Sequence, residues 1–143
     1  MPTSAESVRF AVDTSVAVPA LDAGHAAHPE CLGAVRSLRP ALAGHAAFEV
    51  HSVLTRMPGG LALDAPAAAD LVARVFPEVA WLSAAQSTGL LRRLGRAGVS
   101  GRAVYDALVA EAARTHGRTL LTRDRRAVPT YELLGVTHRL VGG

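Results

Sequence analysis

The sequence predicts an α/β fold, a three-layer α/β/α sandwich with a short, mainly parallel central sheet. Brief apolar segments alternate with longer segments that have helical periodicity, which is typical of a parallel sheet covered by helices on both faces. The 143 residues are 50% hydrophobic, enough for one domain with its own core. We expect that domain to span residues 9–141 and residues 1–8 to form a flexible N-terminal extension.

The first half of the fold is expected to begin with a buried strand that ends at Asp13. Thr14 and Ser15 follow and can cap a helix. The apolar pattern predicts another helix that ends before Pro40, and a third that ends at the Pro58-Gly59-Gly60 turn. In order, we expect strand 9–13, a helix from residue 14, helix 25–38, strand 40–43 and helix 46–57.

The second half continues the alternation of helices and strands. Pro66 near a first turn, Ser83 as an N-cap, and Gly98 and Gly117 as C-terminal residues define the helix ends. In order, we expect helix 66–76, strand 78–82, helix 84–97, helix 101–116, strand 118–122, helix 125–134 and strand 136–141.

The composition excludes several classes of function. The chain has no lysine, which removes a P-loop lysine, a Schiff-base lysine and a lysine general base. Its one cysteine, Cys31, cannot form a disulfide within the chain, and we expect it to be a small buried apolar residue. No apolar run approaches the ~20 residues of a membrane span, and the N-terminal residues do not resemble a secretory signal. We therefore expect a cytoplasmic protein.

Nine of the fifteen arginines fall between residues 92 and 126. Arginine forks fit phosphate oxygens, and the net charge of +3 permits an anionic partner. Solvated helix faces are the simpler explanation. The sequence leaves both interpretations open.

Four acidic residues lie where a parallel sheet would bring them together. Asp13 and Asp124 end predicted strands, and ligands of open parallel sheets bind beyond such ends. Asp106 lies in the first turns of a helix among apolar residues, and Glu49 lies early on helix 46–57. Converging carboxylates repel one another, and a divalent cation relieves the repulsion. All-oxygen ligation favours Mg²⁺ or Mn²⁺. The sequence therefore predicts a site for such an ion, Mg²⁺ or Mn²⁺.

Each acid also has a simpler explanation when it is taken alone. Asp13 could only cap a helix, Asp124 could lie in a turn or pair with Arg123 or Arg125, and Glu49 could be an ordinary surface acid. Asp106 is the hardest to explain in this way because its neighbours are apolar. Together with the positions at strand ends, the four favour the metal site.

Four short segments also occur in the order and spacing of a known family. They are Val12-Asp13-Thr14-Ser15, Ala47-Phe48-Glu49-Val50, Tyr105-Asp106-Ala107-Leu108 and Leu121-Thr122-Arg123-Asp124. They resemble the four acidic motifs of PIN domains, most closely those of the VapC-type toxin ribonucleases of bacterial toxin–antitoxin pairs. The resemblance runs from Arg9 to about Val141.

The resemblance implies a metal-dependent endoribonuclease with one or two bound ions and with Asp13, Glu49, Asp106 and Asp124 as its catalytic acids. Asp13 and Asp106 would bind the metal directly, and Asp124 would bind the same ion or act through water. Glu49 would bind a metal or orient the attacking water. Hydroxyl groups would hydrogen-bond to these carboxylates and orient them, and arginines at the mouth would hold phosphates. The hydroxyl residues are Thr14, Ser15 and Thr122, and the arginines are Arg102, Arg123 and Arg125.

The implied partners are an RNA substrate, a cognate antitoxin and a second copy of the chain in a homodimer. Apolar helix residues that need not all be core support the homodimer: Leu21, Leu32, Val35, Leu90 and Leu91.

Other acidic α/β pockets fit the sequence less well. Phosphoreceiver domains and haloacid-dehalogenase-like phosphatases both need a lysine, and the phosphatases also need Asp-x-Asp, where this chain has Ser15. A non-catalytic RNA- or partner-binding module with the same fold remains the alternative.

Overall fold

A computed structural model describes residues 7–142, which form four strands and seven helices. The strands make one parallel sheet in the order β2-β1-β3-β4, which confirms the predicted α/β class. The strands are β1 (Phe10–Val12), β2 (Ala41–Leu42), β3 (Thr119–Thr122) and β4 (His138–Leu140). The helices are α1 (Thr14–Leu21), α2 (His28–Leu38), α3 (Ala46–Thr55), α4 (Ala65–Val75), α5 (Ala84–Ala97), α6 (Ala103–Thr115) and α7 (Val128–Leu134).

The two central strands bring distant parts of the sequence together. In β1, Val12 is in register with Leu121 of β3. The next residues, Asp13 and Thr122, therefore leave the sheet side by side at the carboxyl edge. This is the edge where parallel α/β sheets bind ligands.

The core is built mainly from alanine, valine and leucine, as expected for a chain that is only 4% aromatic. Small side chains on α6, such as Ala107, Ala110 and Ala113, are fully buried against the rest of the fold. At the entry to α3, Gly44 has φ +49°, and a Cβ there would lie 3.0 Å from the Ala112 Cβ. Only glycine fits this turn without strain, and the turn fixes the start of the helix that carries Glu49.

Three predicted elements differ from the observed ones. The predicted strand 78–82 is reduced to a single bridge between Val79 and Leu42, because β2 is only two residues long and the Trp81 N–H turns back to the Val79 carbonyl at 3.1 Å. The predicted helix 25–38 begins at His28, since the chain from His25 makes a turn first.

Helix 125–134 likewise begins later, at Val128. Asp124 starts a turn in which its carbonyl accepts from the Ala127 N–H at 3.1 Å, and Pro129 lies in the first turn of the helix itself. The other predicted elements are each found within two residues of their expected ends.

The expected N-terminal extension, residues 1–8, lies largely outside the described residues, since description begins at Ser7. Two residues expected to favour a homodimer surface are instead part of the core: Val35 is 6% exposed and Leu90 is 1% exposed. Leu91, at 69%, is exposed. In the part of the chain that is described, helices are too short or too polar to cross a membrane.

Candidate active site

Asp13 is a buried carboxylate surrounded by hydrogen-bond donors. It is the N-cap of α1 and is only 4% exposed. Its Oδ1 accepts from the Ser15 N–H at 3.0 Å and from the Ser15 hydroxyl at 2.6 Å. Its Oδ2 accepts from the Thr122 hydroxyl at 2.5 Å and from the Tyr131 hydroxyl at 2.7 Å. A carboxylate offers about four acceptor positions. A cation bound directly by Asp13 must therefore share or displace one of these donors.

The pKa of Asp13 reflects this enclosed position. Burial raises it above its ordinary value, the hydrogen bonds from Ser15, Thr122 and Tyr131 oppose that rise, and the nearby charge of Asp124 adds to it. Burial and the charge of Asp13 raise the pKa of Tyr131 well above its ordinary value, so this phenol stays protonated and remains a donor. The Tyr131 hydroxyl therefore remains a donor that favours the ionised form of Asp13. A positive charge near Asp13 would favour that form further.

Hydroxyl groups tie the two strand ends together around Asp13. The Ser15 hydroxyl lies 3.3 Å from that of Thr122 and accepts from the Arg123 N–H at 2.7 Å. The Asp124 N–H donates to the Thr122 hydroxyl at 3.0 Å. Glu49 is also held by a hydroxyl group, because the Thr14 hydroxyl donates to its Oε1 at 3.0 Å. All three hydroxyl residues named from the resemblance therefore contact a predicted acid or its backbone.

Asp106 and Asp124 share one arginine, Arg126. Its Nη1 donates to Asp106 Oδ2 at 3.0 Å and its Nη2 to Asp106 Oδ1 at 3.3 Å. The same Nη2 donates to Asp124 Oδ2 at 2.9 Å. The Arg126 side chain is 60% exposed, whereas those of Asp106 and Asp124 are 14% and 32% exposed. The guanidinium thus covers two enclosed carboxylates from the solvent side.

All four predicted acids line one pocket of about 280 Å³. The polar and charged residues that line the pocket with them are Thr14, Ser15, Arg102, Arg126 and Tyr131. Of the three predicted RNA-binding arginines, only Arg102 lines the pocket. Arg125 is exposed outside it, and the Arg123 Nε is buried without a hydrogen-bond partner within the described residues.

The pocket fits a divalent cation in its chemistry. Its donors are carboxylate and hydroxyl oxygens, and a positive group, the Arg126 guanidinium, already lies against two of the acids. Within residues 7–142, no three acidic, histidine or cysteine side chains converge closely enough here to surround one ion. A cation bound by Asp106 and Asp124 would have to compete with Arg126 for their oxygens.

Sequence reasoning missed two residues of the pocket, Tyr131 and Arg126. The simpler explanations for Asp124 were a turn or a pair with Arg123 or Arg125; it does lie in a turn, and its ion pair is with Arg126. The Arg126 N–H donates to Asp124 Oδ1 at 3.0 Å, a turn in which an acid commonly bonds two residues onward. The position of Arg126 two residues after an aspartate was therefore the only sequence feature that could have indicated this contact. Tyr131 is a polar aromatic residue on the helix after β3, but this position alone does not indicate which way its hydroxyl points.

A larger cavity, about 660 Å³, lies elsewhere in the fold. The charged residues that line it are three arginines and one acid: Arg36, Arg39, Arg74 and Glu78. Glu78 already pairs with the buried Arg118 at 3.1 Å and with Arg9 at 3.6 Å. This cavity lacks the convergent carboxylates of the smaller pocket.

Comparison with known proteins assigns the family. The PIN domain model matches residues 10–132. Ribonuclease VapC27 of Mycobacterium tuberculosis is 46% identical over 127 residues, which cover 89% of this chain and 93% of the relative. Ribonuclease VapC40 of the same species is 43% identical over 139 residues, which cover 92% of this chain and 98% of the relative.

A solved structure supports the fold. The crystal structure of M. tuberculosis VapC20, described as a toxin that cleaves the sarcin-ricin loop, matches with a TM-score of 0.65. The match covers 90% of this chain and 96% of that one at 21% sequence identity. At this identity, the similarity concerns the arrangement of helices and strands.

Proposed function

This chain belongs to the PIN-domain family, among its VapC-type ribonucleases, and on that basis we propose that it hydrolyses RNA phosphodiester bonds as the toxin of a toxin–antitoxin pair. The observation that carries the proposal is the convergence of four carboxylates in one pocket at the carboxyl edge of the sheet. Relatives that are 46% and 43% identical and are named ribonucleases support it. They also disfavour a non-catalytic binding module.

We propose that Asp13, Asp106 and Asp124 hold one or two Mg²⁺ or Mn²⁺ ions. The chemistry that such an ion supplies is a water of lowered pKa and stabilisation of negative charge on the phosphate. Asp13 is oriented for this role by Ser15, Thr122 and Tyr131. Asp106 and Asp124 are free to bind once Arg126 moves away.

The other pocket residues have roles that follow from their contacts. Thr14 orients the Glu49 carboxylate, which is placed to bind a metal or to accept a hydrogen bond from the attacking water. Arg102 lines the pocket and is exposed, so it can hold a phosphate of the substrate without reading its sequence. Arg126, 60% exposed, can do the same after it leaves the carboxylates.

The proposed partners are a cognate antitoxin and a second copy of the chain, and the proposed location is the cytoplasm. An antitoxin that placed a basic side chain against Asp106 and Asp124 would neutralise them as Arg126 does. Among the residues that suggested a homodimer, Leu91 is the one with a largely exposed side chain. Light scattering on the purified protein distinguishes a stable dimer from a monomer.

RNA cleavage by matched variants tests the proposed reaction. Wild type and Asp106→Asn are incubated with the same RNA pool, with Mn²⁺ or with EDTA. We expect Asp106→Asn to lose activity by on the order of 10²-fold or more, since a neutral amide replaces an anionic ligand. EDTA should reduce wild-type activity to the same extent.

The control is Glu132→Gln, which makes the same kind of change at an exposed acid on α7, outside the pocket. It should cleave as wild type does. Full cleavage by Asp106→Asn in EDTA would contradict a metal-dependent nuclease, and absence of cleavage by wild type with Mn²⁺ would leave a non-catalytic binding module as the alternative.

A further inference from the structure

Half of the aromatic residues of this chain are exposed, and all of these belong to one cluster. The chain has only six aromatic residues: one Trp, two Tyr and three Phe. Three are in the core, where Phe10, Phe76 and Tyr131 are at most 6% exposed. The other three are Phe48 (62% exposed), Trp81 (49%) and Tyr105 (49%). A contiguous exposed aromatic surface on a chain with so few aromatic residues indicates a binding site.

The exposed rings form a continuous row with His45. The rings of His45 and Tyr105 are stacked, with centroids 5.2 Å apart and an interplanar angle of 17°. The ring centroid of Phe48 lies 6.3 Å from that of His45 and 5.5 Å from that of Trp81. We call these four residues, Trp81, Phe48, His45 and Tyr105, the aromatic row.

The aromatic row begins at the edge of the acid pocket. Tyr105 directly precedes Asp106 on α6, and His45 lies four residues before Glu49, at the spacing that puts two residues on the same face of a helix. The stacked pair of His45 and Tyr105 therefore joins the first turns of the two helices that supply Glu49 and Asp106. Phe48 and Trp81 continue the row away from them.

We propose that the aromatic row is a stacking site for unpaired nucleobases of the RNA, next to the phosphate that enters the acid pocket. This inference rests on the proposed ribonuclease function. Proteins bind single-stranded or looped RNA by stacking its bases on aromatic side chains, whereas bases inside a duplex are not accessible for such stacking. Arg102 lines the pocket and lies just before Tyr105 in the sequence, so a phosphate contact is available beside the rings. The substrate class is therefore RNA that is single-stranded or looped at the cleavage site.

The single tryptophan gives a direct signal of stacking. The probes are an eight-nucleotide oligouridylate and an eight-nucleotide oligoadenylate, each tested alone, and the duplex that the two form with each other, kept below its melting temperature, in EDTA so that cleavage does not proceed. We expect the unpaired probes to change Trp81 fluorescence on binding and the duplex to do so much less. An equal response to paired and unpaired probes would contradict the proposal.

Substitutions then identify the rings as the cause. Tyr105→Ala and Phe48→Ala should each weaken binding of the unpaired probes by roughly 5- to 100-fold, the usual effect of losing one stacked ring. Tyr105→Phe retains the ring and should bind as wild type does. Leu133→Ala changes a 58% exposed apolar residue outside the aromatic row and should have no effect. Unchanged binding in both alanine variants, or an equal loss in Tyr105→Phe, would overturn the proposal.

Two further measurements separate this proposal from its alternatives. If Phe48→Ala and Trp81→Ala convert a wild-type dimer to a monomer in light scattering, the surface belongs to a second copy of the chain and the stacking site is wrong. If wild type cleaves RNA with Mn²⁺ while the alanine variants bind it unchanged, the ribonuclease function holds and only the stacking site fails.

Discussion

At the scale of single residues, Arg126 determines the charge of the acid pocket. Its guanidinium makes three charge-assisted hydrogen bonds to Asp106 and Asp124, all between 2.9 and 3.3 Å. These two carboxylates are among the three proposed metal ligands, so Arg126 and a divalent ion would compete for them. The arginine is 60% exposed, and water can solvate it when it moves out. Its hold on the carboxylates is therefore modest.

Replacing Arg126 should strengthen metal binding. We expect Arg126→Met to raise the affinity for Mn²⁺ by roughly 3- to 10-fold, since a surface ion-pair network of this kind is worth about 1 kcal/mol. Calorimetric titration with the metal alone measures the change. Arg125→Met, which removes the neighbouring exposed arginine, should leave the affinity near that of wild type. Weaker binding in Arg126→Met would mean that this arginine organises the carboxylates instead of competing for them.

The four acids could be predicted from the sequence, whereas two of their partners could not. Asp13 and Asp124 follow apolar strands, and Asp106 lies among apolar helix residues, so their positions depend on local patterns. The contacts of Arg126 with Asp106 and of Tyr131 with Asp13 join residues 20 and 118 positions apart. No local pattern contains such a contact, because it exists only after β1, β3 and α7 have packed together.

At the scale of secondary-structure elements, Glu111 links α5 to α6. It is 3% exposed and accepts from Arg93 of α5 at 2.6 Å, and from Arg114 of its own helix at 2.8 and 2.9 Å. The hydrogen bond from Arg114, together with the charges of both arginines, lowers the pKa of Glu111 below its ordinary 4.5 despite its burial. Because α6 carries Asp106, this link also helps to position the acid pocket.

The link between α5 and α6 should make stability depend on pH. A carboxyl group with a lowered pKa in the folded state stabilises the fold fully above its unfolded value near 4.5, and that contribution disappears as the pH falls below 4.5 through the folded pKa. We expect Glu111→Gln to reduce the free energy of unfolding by about 1–3 kcal/mol at neutral pH. Urea unfolding at about pH 7 and about pH 3 should show a smaller deficit at the lower pH.

The exposed Glu132→Gln on α7 is the control for Glu111→Gln and should change stability little at either pH. A deficit in Glu111→Gln that is equal at both pH values would contradict the ionic origin of the link.

Helix ends with local capping signals were predicted well, whereas a strand whose length depends on its neighbour in the sheet was not. Helix α5 begins after Ser83 and ends before Gly98 as predicted, since Ser83 and Gln86 form a capping box and Gly98 adopts the left-handed conformation. Residues 78–82 have an apolar pattern suited to a strand. They make only one bridge because their neighbour β2 is two residues long. The length of β2 cannot be predicted from the sequence of residues 78–82.

At the scale of the whole molecule, some arginines of residues 92–126 form ion pairs within the fold, and others are exposed and available to a partner. Arg93, Arg114, Arg118 and Arg126 form ion pairs with Glu111, Glu78, Asp106 and Asp124. The sequence had left phosphate binding and plain solvent exposure as the alternatives, and ion pairing within the fold is a third role. Arg102 and Arg125 are exposed, so they are the better candidates for contact with RNA.

Contact of Arg125 with RNA should appear in the salt dependence of binding. Each phosphate contact that is lost lowers the slope of log affinity against log salt concentration by about 1. We expect this change for Arg125→Gln, measured by gel shift in EDTA at several salt concentrations. Arg74→Gln, at an exposed position outside the acid pocket, should leave the slope unchanged. Equal slopes for wild type and Arg125→Gln would remove Arg125 from the RNA-binding surface.

We propose that the acid pocket at the carboxyl edge of the sheet binds a divalent cation. Calorimetric titration of Mn²⁺ into wild type, Asp13→Asn and Asp106→Asn tests it most directly, with Glu132→Gln as the control for an acid outside the pocket. We expect wild type and Glu132→Gln to bind alike and each pocket variant to bind at least about 10-fold more weakly. An unchanged Mn²⁺ affinity in both Asp13→Asn and Asp106→Asn would contradict the cation site.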